Sequence, residues 1–187
     1  METTSVLAES VVSEGTSRME DRPADRVAWF DGAVAARIDA SYRLATIILG
    51  DPAEAQDATH DAVETAWRRL DDLRDPALFE RWFGRIVVNA CRDRLRRRRR
   101  WWAALPALVR PDPGDPIDRA DDRDRIGRAY RSLGADDRVI LGLRHGADLP
   151  IAEIAERLGI PVGTAKSRLH RATVALRRAL GDEEGDR

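Results

Sequence analysis

Residues 148–180 read DLPIAEIAERLGIPVGTAKSRLHRATVALRRAL, and this stretch decides the architecture of the C-terminal half of the chain. Apolar residues at helical spacing form one face of a first predicted helix: Ile151, Ile154, Ala155 and Leu158. Gly159 follows where a left-handed residue ends a helix, and Pro161 prevents the first helix from continuing. A second helix is therefore predicted to begin near Val162.

The second predicted helix has an apolar stripe and a basic side. The stripe consists of Ala165, Leu169, Ala172 and Leu176. The other side carries Lys166, Ser167, His170, Arg171, Arg177 and Arg178. A DNA major groove admits such a helix, with base edges at its first turns and phosphates along its flanks. The pattern predicts a DNA-binding helix-turn-helix, and an ordinary helical hairpin with a solvated basic face is the competing interpretation.

The order of residue types within 160–172 is more specific than a helical hairpin requires. Apolar-Pro-apolar-Gly-Thr-Ala-Lys-Ser-Arg-Leu-His-Arg-Ala resembles the C-terminal DNA-reading domain of bacterial sigma factors of the extracytoplasmic-function group. In that family this helix reads the upstream, minus-thirty-five promoter element. The resemblance implies DNA contacts by Thr164, Lys166, Ser167, Arg168, His170 and Arg171, with Arg168 serving the DNA backbone.

Composition points to an all-α protein of 187 residues, because strand and hairpin patterns are nearly absent. No hydrophobic run is long enough to span a membrane, and the N-terminus lacks a signal pattern, so we expect a soluble, cytoplasmic protein without membrane insertion. The single cysteine, Cys91, excludes an intrachain disulfide and a cysteine-cluster zinc site. Its apolar neighbours predict a small buried side chain.

The net charge of −1 conceals a strong segregation. Residues 81–100 carry nine arginines against one aspartate, and residues 125–180 carry eleven cations against five acids. Acidic stretches flank and separate these two blocks. Two basic blocks fit two nucleic-acid contacts on one chain better than a uniformly solvated surface.

Helical periodicity also organises the N-terminal half. It predicts one amphipathic helix over 26–49, a second over 52–70 and a long third over about 77–100. Asp51 is expected to cap the second helix, with Pro52 at its first position. Its outer face is acidic and carries Glu54, Asp57, Asp61 and Glu64.

The third predicted helix ends in cations that are preceded by an aromatic and an amide side chain. Arg92, Arg94 and 96–100 follow Trp82 and Asn89. This combination suits a single DNA strand, since arginine binds phosphates, tryptophan stacks on a base and asparagine reads a base edge. A solvated basic helix end favoured by the helix dipole is the alternative.

The N-terminal half resembles the conserved N-terminal domain of the same sigma family. The matching residues are Tyr42-Arg43-Leu44-Ala45, Gly50-Asp51-Pro52, Ala55, Asp57, Ala66-Trp67, Phe79, Trp82-Phe83, Arg85-Ile86, Asn89, Asp93 and Arg97. The resemblance implies that the second helix binds the clamp helices of the largest polymerase subunit, through Asp57, His60, Asp61, Glu64 and Trp67. It implies that the third helix and the preceding loop melt the minus-ten element and capture a flipped base. The residues expected there are Asp75, Phe79, Trp82, Asn89, Asp93, Arg96 and Arg97.

Departures from the family pattern fall at four positions. His60 stands where the family usually has Gln, and Val63 where it has an aromatic residue. Gly134 replaces a usual Pro and Asp148 a usual Gly. These changes bear on clamp affinity and on the loop before the helix-turn-helix, and they leave the motif spacing intact.

The expected organisation is two small helical domains joined by a flexible linker. Its segments are a disordered acidic extension (1–25), a region 2-like domain (26–100), an acidic Pro-rich linker (101–124), a region 4-like helix-turn-helix domain (125–182) and an acidic tail (183–187). In the family the linker threads the polymerase toward the RNA path, and a plain spacer is the alternative.

The expected function is transcription initiation: binding of core RNA polymerase and promoter DNA, recognition of both elements, and opening at the downstream one. The family implies an anti-sigma partner. The alternative is a helix-turn-helix regulator that acts without polymerase. An enzyme or metal site would rest on Asp57, His60, Asp61 and Glu64, which share a helix face. A second coordinating segment is missing, so we expect no catalysis, metal or cofactor.

Overall fold

The computed structural model describes residues 23–104 and 122–181, which form helices and turns without strands in these ranges. The chain divides into two compact units, 1–36 and 37–187. Helix α1, Pro23–Ala35, is the described part of the first unit. The second unit contains two helical domains, as expected. Most of the expected linker, the N-terminal extension and the acidic tail lie outside the described residues.

The expected single helix over 26–49 is wrong: α1 ends at Ala35, and α2 is a separate helix, Ile38–Leu49. Arg37 between them has φ −124° and ψ −13°, outside the helical geometry. Apolar residues keep their helical period across this two-residue interruption, so periodicity alone does not reveal it.

The turn between α2 and the next helix follows the sequence prediction. Gly50 ends α2 at φ +67°, in the left-handed region that favours glycine. Asp51 then caps α3, Pro52–Arg68: its Oδ1 accepts hydrogen bonds from the backbone N–H groups of Ala53 at 2.8 Å and Glu54 at 3.0 Å. Two of the unpaired donors at this helix start are thereby satisfied.

The N-terminal domain of the second unit is a bundle of α2, α3 and the long helix α4, Phe79–Ala104. Short 3₁₀ turns at Leu70–Asp72 and Pro76–Leu78 connect α3 to α4. The apolar faces of the three helices meet in the core, which includes Leu44, Ile48, Ala55, Ala58, Ala62, Ala66, Phe83, Val87 and Cys91. Burial raises the pKa of the Cys91 thiol to about 12, as expected of a small buried side chain rather than a reactive thiol.

The C-terminal domain comprises α5 (Asp122–Ser132), α6 (Ala135–Leu141), α7 (Ile151–Leu158) and α8 (Val162–Ala179). Helices α5, α6 and α7 all pack against α8. Helix α6 continues into a π-helical turn, Gly142–Gly146. The core of this domain includes Ala129, Val139, Ile140, Leu143, Ile154, Ala155, Ala165 and Ala172.

The predicted helix-turn-helix is present in α7 and α8. Gly159 ends α7 at φ +65°, and its N–H bonds to the carbonyl of Glu156 at 3.1 Å. The backbone N–H of Ile160 reaches the carbonyl of Ala155 at 3.0 Å, which completes the turn. No described helix is both long and apolar enough to cross a membrane.

Asp148, which stands where the sigma family usually has glycine, adopts φ +48°. We expect Asp148→Gly to raise the free energy of unfolding by up to about 1 kcal/mol, because glycine takes this conformation without a Cβ clash. The ion pair of Asp148 with Arg144, at 3.3 Å, is too exposed to offset that gain. Urea unfolding measures the change. Asp148→Ala retains the Cβ and should be less stable than the glycine variant; the reverse order would contradict this explanation.

Candidate nucleic-acid interface

The exposed side of α8 is the first candidate surface. Ala165 and Ala172 are buried against the rest of the domain. Five of the six residues expected to contact DNA here are exposed: Thr164, Lys166, Ser167, His170 and Arg171. Helical spacing places Lys166, Ser167, His170 and Arg171 on the side away from the two alanines. The helix therefore presents one continuous polar and basic face.

Arg168 differs from the other five residues because it is half-buried at the edge of the packed side of α8. It is thus placed at the flank of the polar and basic face rather than at its centre. A phosphate lying beside a groove-bound helix is met from such a flank. Within the face, the Ser167 hydroxyl donates to the carbonyl of Thr164 at 3.0 Å, which leaves its oxygen lone pairs as acceptors.

The start of α8 suits an anion. Pro161 occupies the cap position, and among the described residues no side chain caps this helix. The first intrahelical bond runs from Ala165 N to Pro161 O at 3.0 Å, so the N–H groups of the first turn point outward. Gly163 lies in this turn with open space around the position of a Cβ atom. A phosphate can approach these N–H groups closely.

The second candidate surface is one side of α4. Trp82, Asn89, Asp93, Arg96 and Arg97 are separated by seven, four, three and one residues, which places them within one arc of the helix. Four of them are exposed and Trp82 is half-buried. An open cleft along this side is lined by Asp93, Arg96, Arg99 and Arg100. The structure thus brings together five of the seven residues predicted to contact the downstream element.

The other two predicted residues are placed differently. Phe79 is buried, its ring stacked on Phe83 at 5.4 Å and tilted against Trp82 at 5.9 Å. It therefore supports the Trp82 indole from the core and does not present its own ring to DNA. Asp75 caps the 3₁₀ turn before α4, since its Oδ1 accepts a hydrogen bond from Ala77 N at 2.9 Å.

The sequence suggested that the arginines of α4 form one free basic block, but the structure pairs some of them with acidic side chains of α3. Arg94 turns inward to α3, where it pairs with Asp61 at 2.6 Å and with Asp57 at 3.4 Å. Arg98 pairs with Glu54, also on α3, at 3.4 Å. The arginines of α4 therefore partly neutralise the acidic face of α3, which the charge pattern alone would leave as a negative surface.

The remaining predicted polymerase contacts on α3 point to solvent. The His60 imidazole lies 3.2 Å from the Glu64 carboxylate, and both side chains are more than half exposed. Trp67 is 41% exposed, which is unusual for so large an apolar side chain. His60, Glu64 and Trp67 form what we call the outer part of α3, beside the two aspartates that pair with Arg94.

Comparison with known proteins gives matches to two families in the order of the two domains. Residues 34–101 match Sigma-70 region 2, and residues 123–176 match Sigma-70, region 4. The RNA polymerase sigma-E factor of Streptomyces coelicolor is 31% identical over 158 residues, which cover 81% of this chain and 85% of that one. The ECF RNA polymerase sigma factor SigM of Mycobacterium tuberculosis is 35% identical over 140 residues, covering 75% and 71%.

Two solved structures share the fold. The sigma factor RpoE of Bartonella quintana, in complex with the anti-sigma factor NepR, aligns with a TM-score of 0.60 and 22% identity, over 83% of this chain and 98% of that chain. CnrH in complex with the cytosolic domain of CnrY aligns with a TM-score of 0.58 and 25% identity, over 83% and 89%.

Proposed function

The chain belongs to the extracytoplasmic-function group of the sigma-70 family, and we propose that the exposed faces of α8 and α4 are its two promoter contacts. As a sigma factor it binds core RNA polymerase, recognises the minus-thirty-five and minus-ten elements and promotes DNA opening. The single observation that carries the residue-level proposal is the pair of exposed polar faces, one on each helical domain. A regulator that acts alone through a helix-turn-helix has no need of the second face.

On α8, Lys166 and Arg171 supply the charged contacts to the upstream element. Either side chain can donate hydrogen bonds to the O6 and N7 acceptors of guanine in the major groove. The shorter polar side chains of Thr164, Ser167 and His170 add further contacts to the DNA beside these two. Arg168 binds a phosphate at the flank. The uncapped start of the helix adds backbone N–H groups to the phosphate contacts.

On α4, Trp82 and Asn89 act on the unpaired strand of the downstream element. Trp82 offers a stacking surface for a base, and Asn89 offers both a donor and an acceptor to a base edge. Arg96 and Arg97 bind phosphates beside them. Asp93, about one turn before these cations on α4, disfavours a phosphate at its own position and so helps to set the path of the strand.

The outer part of α3 (His60, Glu64 and Trp67) is the proposed polymerase contact, with Asp57 and Asp61 held at its edge by Arg94. An exposed tryptophan beside a carboxylate has the composition of an interface hot spot facing a basic partner. The protein carries out no catalytic step, needs no metal or cofactor, and works in the cytoplasm, where polymerase and promoter meet. We propose an anti-sigma protein as a further partner, since the similar RpoE of Bartonella quintana forms a complex with the anti-sigma factor NepR.

We expect Glu64→Lys to lower the affinity for core polymerase about tenfold, because it reverses the charge on the outer part of α3. Co-purification with core enzyme and run-off transcription measure the loss. Asp39→Lys makes the same charge change at an exposed position of α2 and serves as the control. Equal affinities of the Glu64→Lys variant and the wild type would remove this surface from polymerase binding. Promoter binding without any transcription by core enzyme would favour the polymerase-independent regulator.

A further inference from the structure

Val162 is an apolar residue on the otherwise polar exposed side of α8. It is the first residue of the helix, and its side chain is 43% exposed. The other exposed residues up to position 171 are polar or glycine: Gly163, Thr164, Lys166, Ser167, His170 and Arg171. Val162 is therefore a single apolar group at the end of the proposed DNA-contacting face.

The fold does not account for an exposed valine at this position. Valine is a poorer helix former than the charged residues common at exposed helix positions. The position that stabilises a helix start by packing against the following turn is the one before the cap residue, which here is Ile160. Neither helix propensity nor packing at the helix start therefore requires the side chain of Val162.

The surroundings leave the valine open to an approaching surface. Gly163 has no side chain, and the position of a Cβ atom there has open space around it. Among the described residues no side chain caps the start of α8. A groove that receives the first turn of the helix can therefore meet the methyl groups of Val162 directly.

Helical spacing places Val162 beside Lys166 of the same face. Residues four apart on a helix are neighbours, about 5.4 Å apart along its axis. Successive base pairs of B-form DNA lie about 3.4 Å apart. If Lys166 contacts a base edge, as proposed above, Val162 lies over a base pair within about two steps of that base.

The chemistry of the major groove limits what a valine can recognise there. Its side chain neither donates nor accepts hydrogen bonds, and the base edges carry nitrogen and oxygen acceptors, amino donors and one apolar group, the 5-methyl of thymine. A valine pressed against a polar edge would take that edge out of water without a hydrogen-bond partner, which costs free energy. A methyl group is the favourable neighbour.

We infer that Val162 is a specificity-determining residue of the upstream contact: its methyl groups pack on the 5-methyl group of a thymine within about two base pairs of the base bound by Lys166. The inference rests on the proposed function of α8. It adds an apolar determinant to a face otherwise made of polar and charged contacts. The group recognised is a 5-methylpyrimidine, so 5-methylcytosine, which carries the same methyl group, should also be favoured over cytosine.

Removal of one methyl group from the DNA tests the contact. The probe is a duplex promoter fragment from which the factor initiates with core enzyme. Each thymine of the upstream element, on either strand, is replaced in turn by deoxyuridine, which differs only in lacking the methyl group. One replacement should lower the affinity of the wild-type complex about fourfold, as expected for one buried carbon.

Variants of the protein complete the comparison. In the Val162→Ala complex the same deoxyuridine replacement should change the affinity by less than about 1.5-fold, and Val162→Thr, which keeps one methyl group, should lie between. Ile126→Ala shortens a 55% exposed apolar side chain on α5 and should keep the fourfold penalty, so it is the control. Circular dichroism checks that each full-length variant folds.

Two further measurements separate a methyl contact from a structural or ionic role of Val162. At the base pair identified by deoxyuridine, 5-methylcytosine should bind the wild-type complex about fourfold more tightly than cytosine, and the Val162→Ala complex should not distinguish them. The salt dependence of binding should be the same for Val162→Ala and the wild type, since no phosphate contact is removed.

The outcomes distinguish this inference from the proposed function on which it rests. An upstream element without thymine, a wild-type complex indifferent to every deoxyuridine, or equal penalties in wild type and Val162→Ala would overturn the thymine contact. In each case a retained preference for the intact over a scrambled element leaves α8 as the recognition helix. A wild-type complex without that preference would instead contradict the proposed function itself.

Discussion

Replacing Lys166 and Arg171 together by alanine is expected to lower the affinity of the polymerase complex for the upstream element by about a hundredfold or more. Each charged base contact contributes about 1–3 kcal/mol, and the two side chains lie far enough apart on α8 to act nearly independently. The protein should remain folded, because both residues are exposed on the side away from Ala165 and Ala172. Circular dichroism should therefore be unchanged.

The measurement compares binding to promoter fragments with an intact or a scrambled upstream element. Loss of base contacts should abolish the preference for the intact element. Arg177→Ala with Arg178→Ala removes two cations from the last turn of the same helix and is the matched control. Phosphate contacts carry no sequence information, so the control should weaken both fragments equally. A Lys166→Ala/Arg171→Ala variant that keeps the full preference would exclude α8 from recognition.

Features specified by short stretches of sequence are predicted correctly. The turn at Gly159, the capping of α3 by Asp51 and the burial of Cys91 each depend on one residue type in its local context. Glycine permits the left-handed conformation, and aspartate followed by proline starts a helix, whatever the rest of the chain does. The helix-turn-helix can therefore be located from the order of residue types alone.

Features that depend on contacts between distant elements are not predicted. The sequence places Arg94 in a basic block facing DNA, but the residue pairs with Asp57 and Asp61 across the bundle. The family resemblance implies Phe79 at the DNA surface, whereas helical spacing assigns it to the core of the third helix, where it lies. Periodicity assigns a residue to a helix face without saying which neighbour covers that face, so an arginine at the edge of a stripe can point either way.

The burial of Arg138 shows the same limit at the domain boundary. The residue precedes the core positions Val139 and Ile140, and nothing in its neighbourhood distinguishes it from an exposed arginine. It lies between Gly50 at the end of α2 and the Tyr130 ring of its own domain. The sequence predicts two small helical domains joined by a linker. Its charge pattern reveals the basic block on α4, but it does not reveal that Asp136 of the other domain pairs with Arg92 of that block.

The downstream contact gives the second large effect. We expect Asn89→Ala and Trp82→Ala together to lower initiation on a fully paired promoter by about a hundredfold. Base stacking on an aromatic side chain contributes about 1–3 kcal/mol, and a base-edge contact adds a similar amount. Trp82 is half-buried against Phe79, so its replacement also disturbs the end of α4. Asn89 is exposed and is the cleaner single probe, since its side chain only approaches Arg92 at 3.4 Å.

A template with a premelted bubble at the downstream element separates melting from simple binding. On paired DNA the contacts of Asn89 help to offset the cost of unpairing and unstacking, a few kcal/mol for a flipped base. On the bubble template, part of that cost has already been met, so the activity of Asn89→Ala should be largely restored. Arg97→Ala should instead weaken both templates and reduce the salt dependence of binding, as expected of a phosphate contact. Initiation on both templates over a salt series measures the two effects. If Asn89→Ala loses equal activity on paired and bubble DNA, its face of α4 binds DNA without contributing to strand separation.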